Sequence, residues 1–169
     1  RTEAYAAARI LGTHALVLRT LPDNRFDSLP LLDIVKEVEK VKSELRPDVV
    51  YTHHWGDLNV DHRLTCEAVM TGFRPLPGET VRELLAFEVP SATGWGVPSV
   101  ATAFQPNYFV DISQTIERKI EAMSAYCSEV RPAPHPRSPE SLHALAQFRG
   151  SEVGLDHAEA FTLLRAVRR

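Results

Sequence analysis

A dense group of metal-binding and proton-carrying side chains lies between Tyr51 and Val69, in the stretch YTHHWGDLNVDHRLTCEAV. Imidazole and carboxylate groups are side chains that bind metal ions and transfer protons. The stretch holds six histidine, aspartate or asparagine residues that could act in this way: His53, His54, Asp57, Asn59, Asp61 and His62. We therefore interpret it as the active-site loop.

His62 is the strongest candidate for a metal ligand. It lies at the predicted start of a helix, where the positive end of the dipole disfavours a charged imidazolium and keeps the ring neutral. Asp61 beside it could cap the helix, hydrogen-bond a ligand histidine or tune a proton. The alternative for both is an ordinary helix cap followed by a surface histidine. His53 and His54 could equally be packing residues at the end of a strand.

The metal hypothesis needs more ligands than this stretch supplies. A catalytic zinc takes three protein ligands and keeps one position open for water. The sequence has no HExxH motif, no paired cysteines and no second His/Asp cluster. Either no metal is bound, or the other ligands lie upstream of Arg1, in a segment that we expect to be missing.

Hydrophobic spacing predicts the elements that present the loop. Val49 to Thr52, preceded by Pro47, should form a buried strand that ends at the loop, and a helix should follow from Asp61 to about Gly72. A strand from His14 to Leu18 and a helix from Leu31 to Leu45 complete a βαβ unit with a parallel sheet. Because open α/β sheets bind ligands beyond the carboxyl ends of their strands, the loop lies where such folds place their chemistry.

The remainder of the chain continues the alternation of helices and strands. We predict helices over 1–11, 114–126 and 140–148, strands over 83–89 and 108–110, and a loop or hairpin zone over 91–106 that contains Pro98. Two or three parallel strands are few for a doubly wound sheet. The predicted fold class is an open, mostly parallel α/β sheet flanked by helices, with its first strands missing, in one domain over residues 1–169.

Length, charge and hydropathy argue for a single globular domain and against a nucleic-acid-binding or membrane-spanning chain. At 169 residues and 44% hydrophobic, the chain can bury the core of one domain. Its net charge of -3 and scattered basic residues do not favour nucleic-acid binding. No apolar run approaches the length of a membrane span. Cys66 and Cys127 lie far apart, and we expect both to be buried thiols in a reducing cytoplasm.

Five segments carry a family resemblance. GDLNVDHRLTCEAV resembles the second motif of the PIG-L/LmbE-like de-N-acetylases, zinc enzymes that remove acyl groups from amino sugars and sugar-containing metabolites. Four further segments resemble the same family in order and spacing: RTEAYAAARILG, FQPNYFVDIS, PHPRSPESLHALAQFRG and GLDHAEAF. The resemblance implies a Rossmann-like fold, a Zn²⁺ cofactor and a small N-acylated sugar as the substrate.

The resemblance also implies roles for single residues. His62 matches the last histidine of the motif and would be the third zinc ligand, whereas the other two ligands and the catalytic base come from a motif that is absent here. Asn59 stands where many members have a histidine that stabilises the tetrahedral intermediate. Its amide could donate to an oxyanion but could not act as an acid. Asp61 would orient His62 or a protonated group.

Three residues are weaker candidates for the substrate cleft that the resemblance implies. Arg137 and His157 could line it, and Trp95 could stack on a sugar face. Each also has a structural interpretation. Arg137 could pair with Glu140 or Glu159, His157 could lie in a packed loop, and an aromatic residue is often part of a core.

Three functions stay open at this point. The leading hypothesis is a zinc-dependent N-deacetylase, in which the chain alone would be inactive. The second is a metal-free α/β module that binds a sugar or a nucleotide at the same edge of the sheet. The third, a hydrolase with a side-chain nucleophile, is weak because no GxSxG elbow is present. The sequence leaves assembly into a homo-oligomer undecided.

Overall fold

The computed structural model describes residues 1–97 and 99–168, so the predicted loop residue Pro98 lies outside the described residues. The described residues form six α-helices: α1 Thr2–Leu11, α2 Leu31–Leu45, α3 Val60–Gly72, α4 Pro90–Thr93, α5 Ile116–Ser124 and α6 Pro139–Ser151. They form four strands: β1 Val49–His53, β2 Glu83–Phe87, β3 Tyr108–Asp111 and β4 Ala158–Ala166. None of these helices is both long and apolar enough to cross a bilayer.

The four strands form one sheet in the order β1-β2-β4-β3. β1 and β2 run parallel, with Thr52 opposite Ala86, and α3 lies between them in the chain. β4, which the sequence analysis did not identify, runs antiparallel to β2, with Phe161 opposite Phe87. The protein therefore has the predicted α/β class, an open sheet flanked by helices, and the sheet is mixed.

The chain divides into two compact units, the first containing Arg1–Arg19 and Phe109–Ala160 and the second containing Thr20–Tyr108 and the residues from Phe161 onward. In the second unit α2 packs on α3. Its apolar residues recur at helical spacing, and Ile34 and Val35 are each only 2% exposed. Burying one such side chain contributes roughly 1.5–3 kcal/mol, so this face holds α3 and the loop before it in place.

The first unit has its own core, in which α5 packs on α1 and on α6. Ile112, Ile116 and Ala146 form its buried cluster. Gly12 caps the C-terminal end of α1, as predicted; its φ is 72°, and its amide donates to carbonyls of the last turn. Glycine adopts this left-handed conformation without the steric cost that a Cβ would impose.

The predicted strand from His14 to Leu18 is wrong, because the structure has neither a strand nor a helix there. Leu16 and Val17 are 36% and 39% exposed. Apolar, β-branched sequence shows that a segment suits a sheet, but a strand exists only when a neighbour completes its hydrogen bonds. No strand of the described residues pairs with this segment.

The two cysteines have different environments. Cys66 is buried in α3, as predicted, and burial followed by the nearby charges of Asp57 and Glu67 raises the pKa of its thiol to about 11. Cys127 is exposed, so the prediction of a second buried thiol is wrong. It lies just beyond α5, where its thiol donates to the carbonyl oxygen of Ser124 at 3.7 Å.

Candidate metal centre

The first turn of α3 carries His62, and the cap of that helix sets its position. Asn59 is the N-cap, and its Oδ1 accepts the amide of Asp61 at 2.8 Å and that of His62 at 3.4 Å. Such a cap satisfies amides that have no partner within the helix and determines where the helix begins. The backbone of His62 is therefore fixed by local sequence.

Asp57, in the loop between β1 and α3, orients the ring of His62. Asp57 is 1% exposed, and its Oδ2 lies 2.8 Å from Nδ1 of His62. Because a carboxylate only accepts hydrogen bonds, Nδ1 carries a proton, and in the neutral tautomer that this bond selects Nε2 keeps its lone pair. A carboxylate behind the second ring nitrogen is the usual support of a metal-binding histidine. His62 thus has the tautomer and orientation to bind a metal through Nε2.

His53, the last residue of β1, stacks on the ring of His62 with 4.1 Å between centroids and 27° between planes. Burial, and then the charge that His62 can carry, lower the pKa of His53 to about 4, although Asp57 opposes the shift. The Nδ1 atom of His53 is buried and has no hydrogen-bond partner among the described residues. A neutral ring therefore covers one side of His62.

Two glycines allow close backbone contacts in the loop before His62 and its neighbours. A Cβ on Gly56 would lie 2.3 Å from the carbonyl oxygen of Thr102, and one on Gly96 would lie 2.6 Å from that of Gly56. His54 is fully buried, and its Nε2 is 2.9 Å from the same Thr102 oxygen. His54 thus links two loops through a hydrogen bond to the backbone, whereas Asp57 bonds to His62.

Asp61 and Asn59 tie the start of α3 to an earlier segment. The two carboxylate oxygens of Asp61 accept the amides of Asn24 at 2.6 Å and Phe26 at 3.0 Å. The Nδ2 of Asn59 donates to Oδ1 of Asn24 at 3.1 Å. The carboxylate that contacts His62 is Asp57, which was predicted to lie in the active-site loop but not to orient His62. The available signal was its position five residues before His62, between a strand end and the first turn of a helix.

A single imidazole ligand fits zinc here, but the described chain does not supply a complete site. An imidazole that a carboxylate orients, as Asp57 orients His62, is the nitrogen ligand that suits zinc. Across residues 1–97 and 99–168, no group of three or more His, Cys, Asp or Glu side chains is arranged to hold a metal ion. Within the described residues, His62 is therefore a single candidate ligand and not part of a complete site.

Arg137 lies in the first unit, before α6. Its Nη1 pairs with Glu129, rather than with Glu140 or Glu159 as the sequence suggested, and Glu159 instead pairs with Lys119. The Nε atom of Arg137 is buried and has no hydrogen-bond partner within the described part of the chain. The guanidinium of Arg137 is thus held by Glu129, while its Nε donates to no group of the described residues.

His157 and Trp95 belong to different units. His157 contacts His143 edge to face, with ring centroids 4.6 Å apart, and its Nε2 is buried without a hydrogen-bond partner among the residues described. Trp95 follows α4 in the second unit and is 52% exposed, so it is not a core residue. Their roles toward a substrate stay predictions.

The fold and the carboxylate-oriented histidine define an α/β protein with a candidate metal ligand in the first turn of α3. The family model described as PIG-L, GlcNAc-PI de-N-acetylase, matches residues 1–73, which include Asp57 and His62. The chain is 30% identical over 112 residues to the uncharacterized deacetylase YaiS of Escherichia coli, covering 63% of this chain. It spans 57% of the length of that relative.

Solved structures extend the likeness to nearly the whole chain. The conserved protein TT1542 of Thermus thermophilus matches 99% of this chain and 73% of its own, with a TM-score of 0.76 and 25% identity. The N,N'-diacetylchitobiose deacetylase of Pyrococcus horikoshii matches 96% of this chain and 62% of its own, with a TM-score of 0.73 and 22% identity. The chain is thus similar in sequence to the PIG-L family over residues 1–73 and similar in fold to these solved structures over nearly its whole length.

The fold alone does not determine the reaction. The 4-carboxy-2-hydroxymuconate hydratase GalB of Pseudomonas putida matches 99% of this chain and 72% of its own, with a TM-score of 0.66 and 20% identity. A hydratase and a deacetylase therefore share this architecture. The choice between them must come from the site.

Proposed function

We propose that this chain contributes His62 to the zinc site of an N-deacetylase that hydrolyses the N-acyl amide of an amino sugar or sugar-containing metabolite. The observation that carries the proposal is the hydrogen bond from Nδ1 of His62 to the buried carboxylate of Asp57. The likeness to deacetylases supports the reaction class. The amide and sugar chemistry is inferred from those relatives.

The chain's own residues would prepare the ligand and its surroundings. When bound, zinc would polarise the acyl carbonyl and lower the pKa of a water molecule. Nε2 of His62 would hold it, and Asp57 would keep the proton on Nδ1. The ring of His53, stacked on His62, would exclude water from one face of the ligand.

Asn59 and Asp61 have structural hydrogen bonds that bear on their proposed catalytic roles. Asn59 could donate to an oxyanion only if its Nδ2 left Oδ1 of Asn24. Asp61 would act by holding the segment around Asn24 against the start of α3. We propose that the remaining zinc ligands and the base come from residues outside the 169 of this sequence.

We propose Arg137, His157 and Trp95 as residues that contact the substrate. The exposed indole of Trp95 could stack on a pyranose face. The buried, unpartnered Nε of Arg137 and Nε2 of His157 could hydrogen-bond a sugar hydroxyl only after a local rearrangement that exposes them. No membrane or nucleic-acid partner enters this proposal.

The test is the metal content of the full-length protein, measured by elemental analysis, followed by an assay for acetate release from N-acetyl amino sugars. We expect stoichiometric zinc in the wild type, a sharp loss in His62→Ala, and no loss in His14→Ala, which removes an exposed histidine. Zinc content that does not change in His62→Ala would contradict the proposal.

A second candidate is a metal-free module that binds a sugar or nucleotide without catalysis. The observation that favours it is the lack of a three-ligand cluster within the described ranges. It predicts a full-length protein that contains no zinc even after zinc is supplied, yet binds an amino sugar in calorimetry. Zinc-dependent acetate release would exclude it.

A further inference from the structure

The one-turn helix α4 lies against the loop that carries Asp57. It begins at Pro90, a residue suited to the first helical position, and ends at Thr93. The amide of Leu58 donates to the carbonyl of Ala92 at 3.0 Å, so the backbone of the loop is bonded to α4. Thr93 is thereby held beside Asp57.

The hydroxyl of Thr93 has a defined hydrogen-bond direction. The amide of Val89 lies 2.8 Å from Oγ1 of Thr93, and an amide nitrogen can only donate. The hydroxyl therefore accepts from Val89 and has its single proton available for a second partner. That partner is Oδ1 of Asp57, at 2.5 Å.

Each carboxylate oxygen of Asp57 thus has one side-chain donor. Oδ1 accepts from Thr93, and Oδ2 accepts from Nδ1 of His62. Two donors on opposite oxygens determine the rotation of the carboxylate plane, which one donor would leave adjustable. Because Asp57 is 1% exposed, water is a poor substitute for a lost donor.

We propose that Thr93 is a positioning residue for the metal ligand, acting through Asp57 on the tautomer and ring orientation of His62. The expected effect on zinc affinity rests on the proposed function, whereas the expected effect on the tautomer of His62 does not. It extends the support of His62 from the α3 loop to the segment that follows β2. Nothing in the sequence around Thr93 indicates this role.

The test compares Thr93→Val, which keeps the shape of the side chain but has no hydroxyl, with Thr93→Ser, which keeps the hydroxyl. Two measurements are made on the full-length protein. The first is the ¹⁵N chemical shifts of the His62 ring in metal-free protein at pH 8. The second is zinc affinity by chelator competition, with His62→Ala in parallel.

We expect Nδ1-protonated His62 in the wild type and in Thr93→Ser. In Thr93→Val we expect ¹⁵N shifts that move toward a mixture of tautomers and zinc binding that is about 10-fold weaker, as for other residues that support a ligand. A Thr93→Val protein that loses thermal stability but keeps the wild-type shifts and affinity would show a merely structural role and overturn the proposal.

The two proposals can fail separately. If His62→Ala binds zinc as tightly as the wild type, the proposed metal site fails, whereas the ¹⁵N shifts of the metal-free protein still decide the role of Thr93. If His62→Ala loses zinc and Thr93→Val equals the wild type in both measurements, only the role of Thr93 is overturned.

Discussion

Two pairs of histidine rings lie in the two units of the molecule, and they differ in what holds them. In the second unit His53 stacks on His62, which is hydrogen-bonded to the buried Asp57. In the first unit His143 meets His157 at 78°, and the buried Nε2 of His157 has no hydrogen-bond partner among the described residues. Ring proximity is similar, at 4.1 and 4.6 Å between centroids.

The two pairs differ in a carboxylate and not in the nearness of a second histidine. The hydrogen bond from His62 to Asp57 is what makes His62 suited to bind a metal. Asp57 determines which nitrogen of His62 carries the proton and holds the ring in one orientation. The edge-to-face contact of His157 fixes the place of its ring, but it gives its Nε2 no hydrogen bond. Substitutions should separate the two pairs by their effect on metal binding.

Among substitutions that leave His62 in place, replacing Asp57 should have the largest effect on metal affinity. In Asp57→Asn the amide can donate to Nδ1 of His62, which places the ring proton on Nε2 and blocks the ligand atom. We expect zinc binding by the full-length protein to weaken about 10- to 100-fold, measured by chelator competition. Asp48→Asn, which changes a surface carboxylate paired with Arg82, is the control and should bind normally.

Glycine substitutions should destabilise both units but affect zinc in only one. A Cβ on Gly56 would meet the backbone oxygen of Thr102 at 2.3 Å, and one on Gly150 would meet that of Leu155 at 2.5 Å. We expect each alanine variant to lower the free energy of unfolding by about 1–3 kcal/mol, measured with urea. Only Gly56→Ala should also weaken zinc binding, and equal affinities in both variants would remove the distinction.

The pH dependence of the unfolding free energy should reveal the lowered pKa of His53. Its pKa of about 4 in the folded protein lies below the ordinary value of 6.5, mainly because of burial. Between these values the unfolded chain binds more protons, so stability decreases as pH falls from 6.5 toward 4, by at most about 1.4 kcal/mol per pH unit. Urea unfolding with a chelator present should show this slope, and His53→Phe should make it shallower.

Replacing His157 should have the smallest effect on the fold. His157→Phe removes a buried nitrogen that has no hydrogen-bond partner in the described ranges and keeps a flat ring against His143. We expect a change in unfolding free energy within about 1 kcal/mol and unchanged zinc affinity. A KM for an N-acetyl amino sugar that rises at unchanged stability would support substrate contact by His157, and an unchanged KM would argue against it.

Sequence alone determined the elements whose signals are local. The apolar spacing of α2 predicted its bounds, Leu31–Leu45, and Gly12 marked the end of α1. The stretch around His62 showed where the chemistry lies, because histidines and carboxylates follow a buried strand directly. These signals depend on neighbours within one or two turns of chain.

Tertiary structure decided everything that needs a partner from a distant part of the chain. His14 to Leu18 has the composition of a strand but no paired neighbour in the described residues, whereas β4 forms by antiparallel pairing with β2. The support of His62 also depends on such contacts, since Thr93 reaches Asp57 across 36 residues of sequence. Hydrogen bonds of this kind have no periodicity or spacing, so only the folded chain reveals which carboxylate orients the ligand.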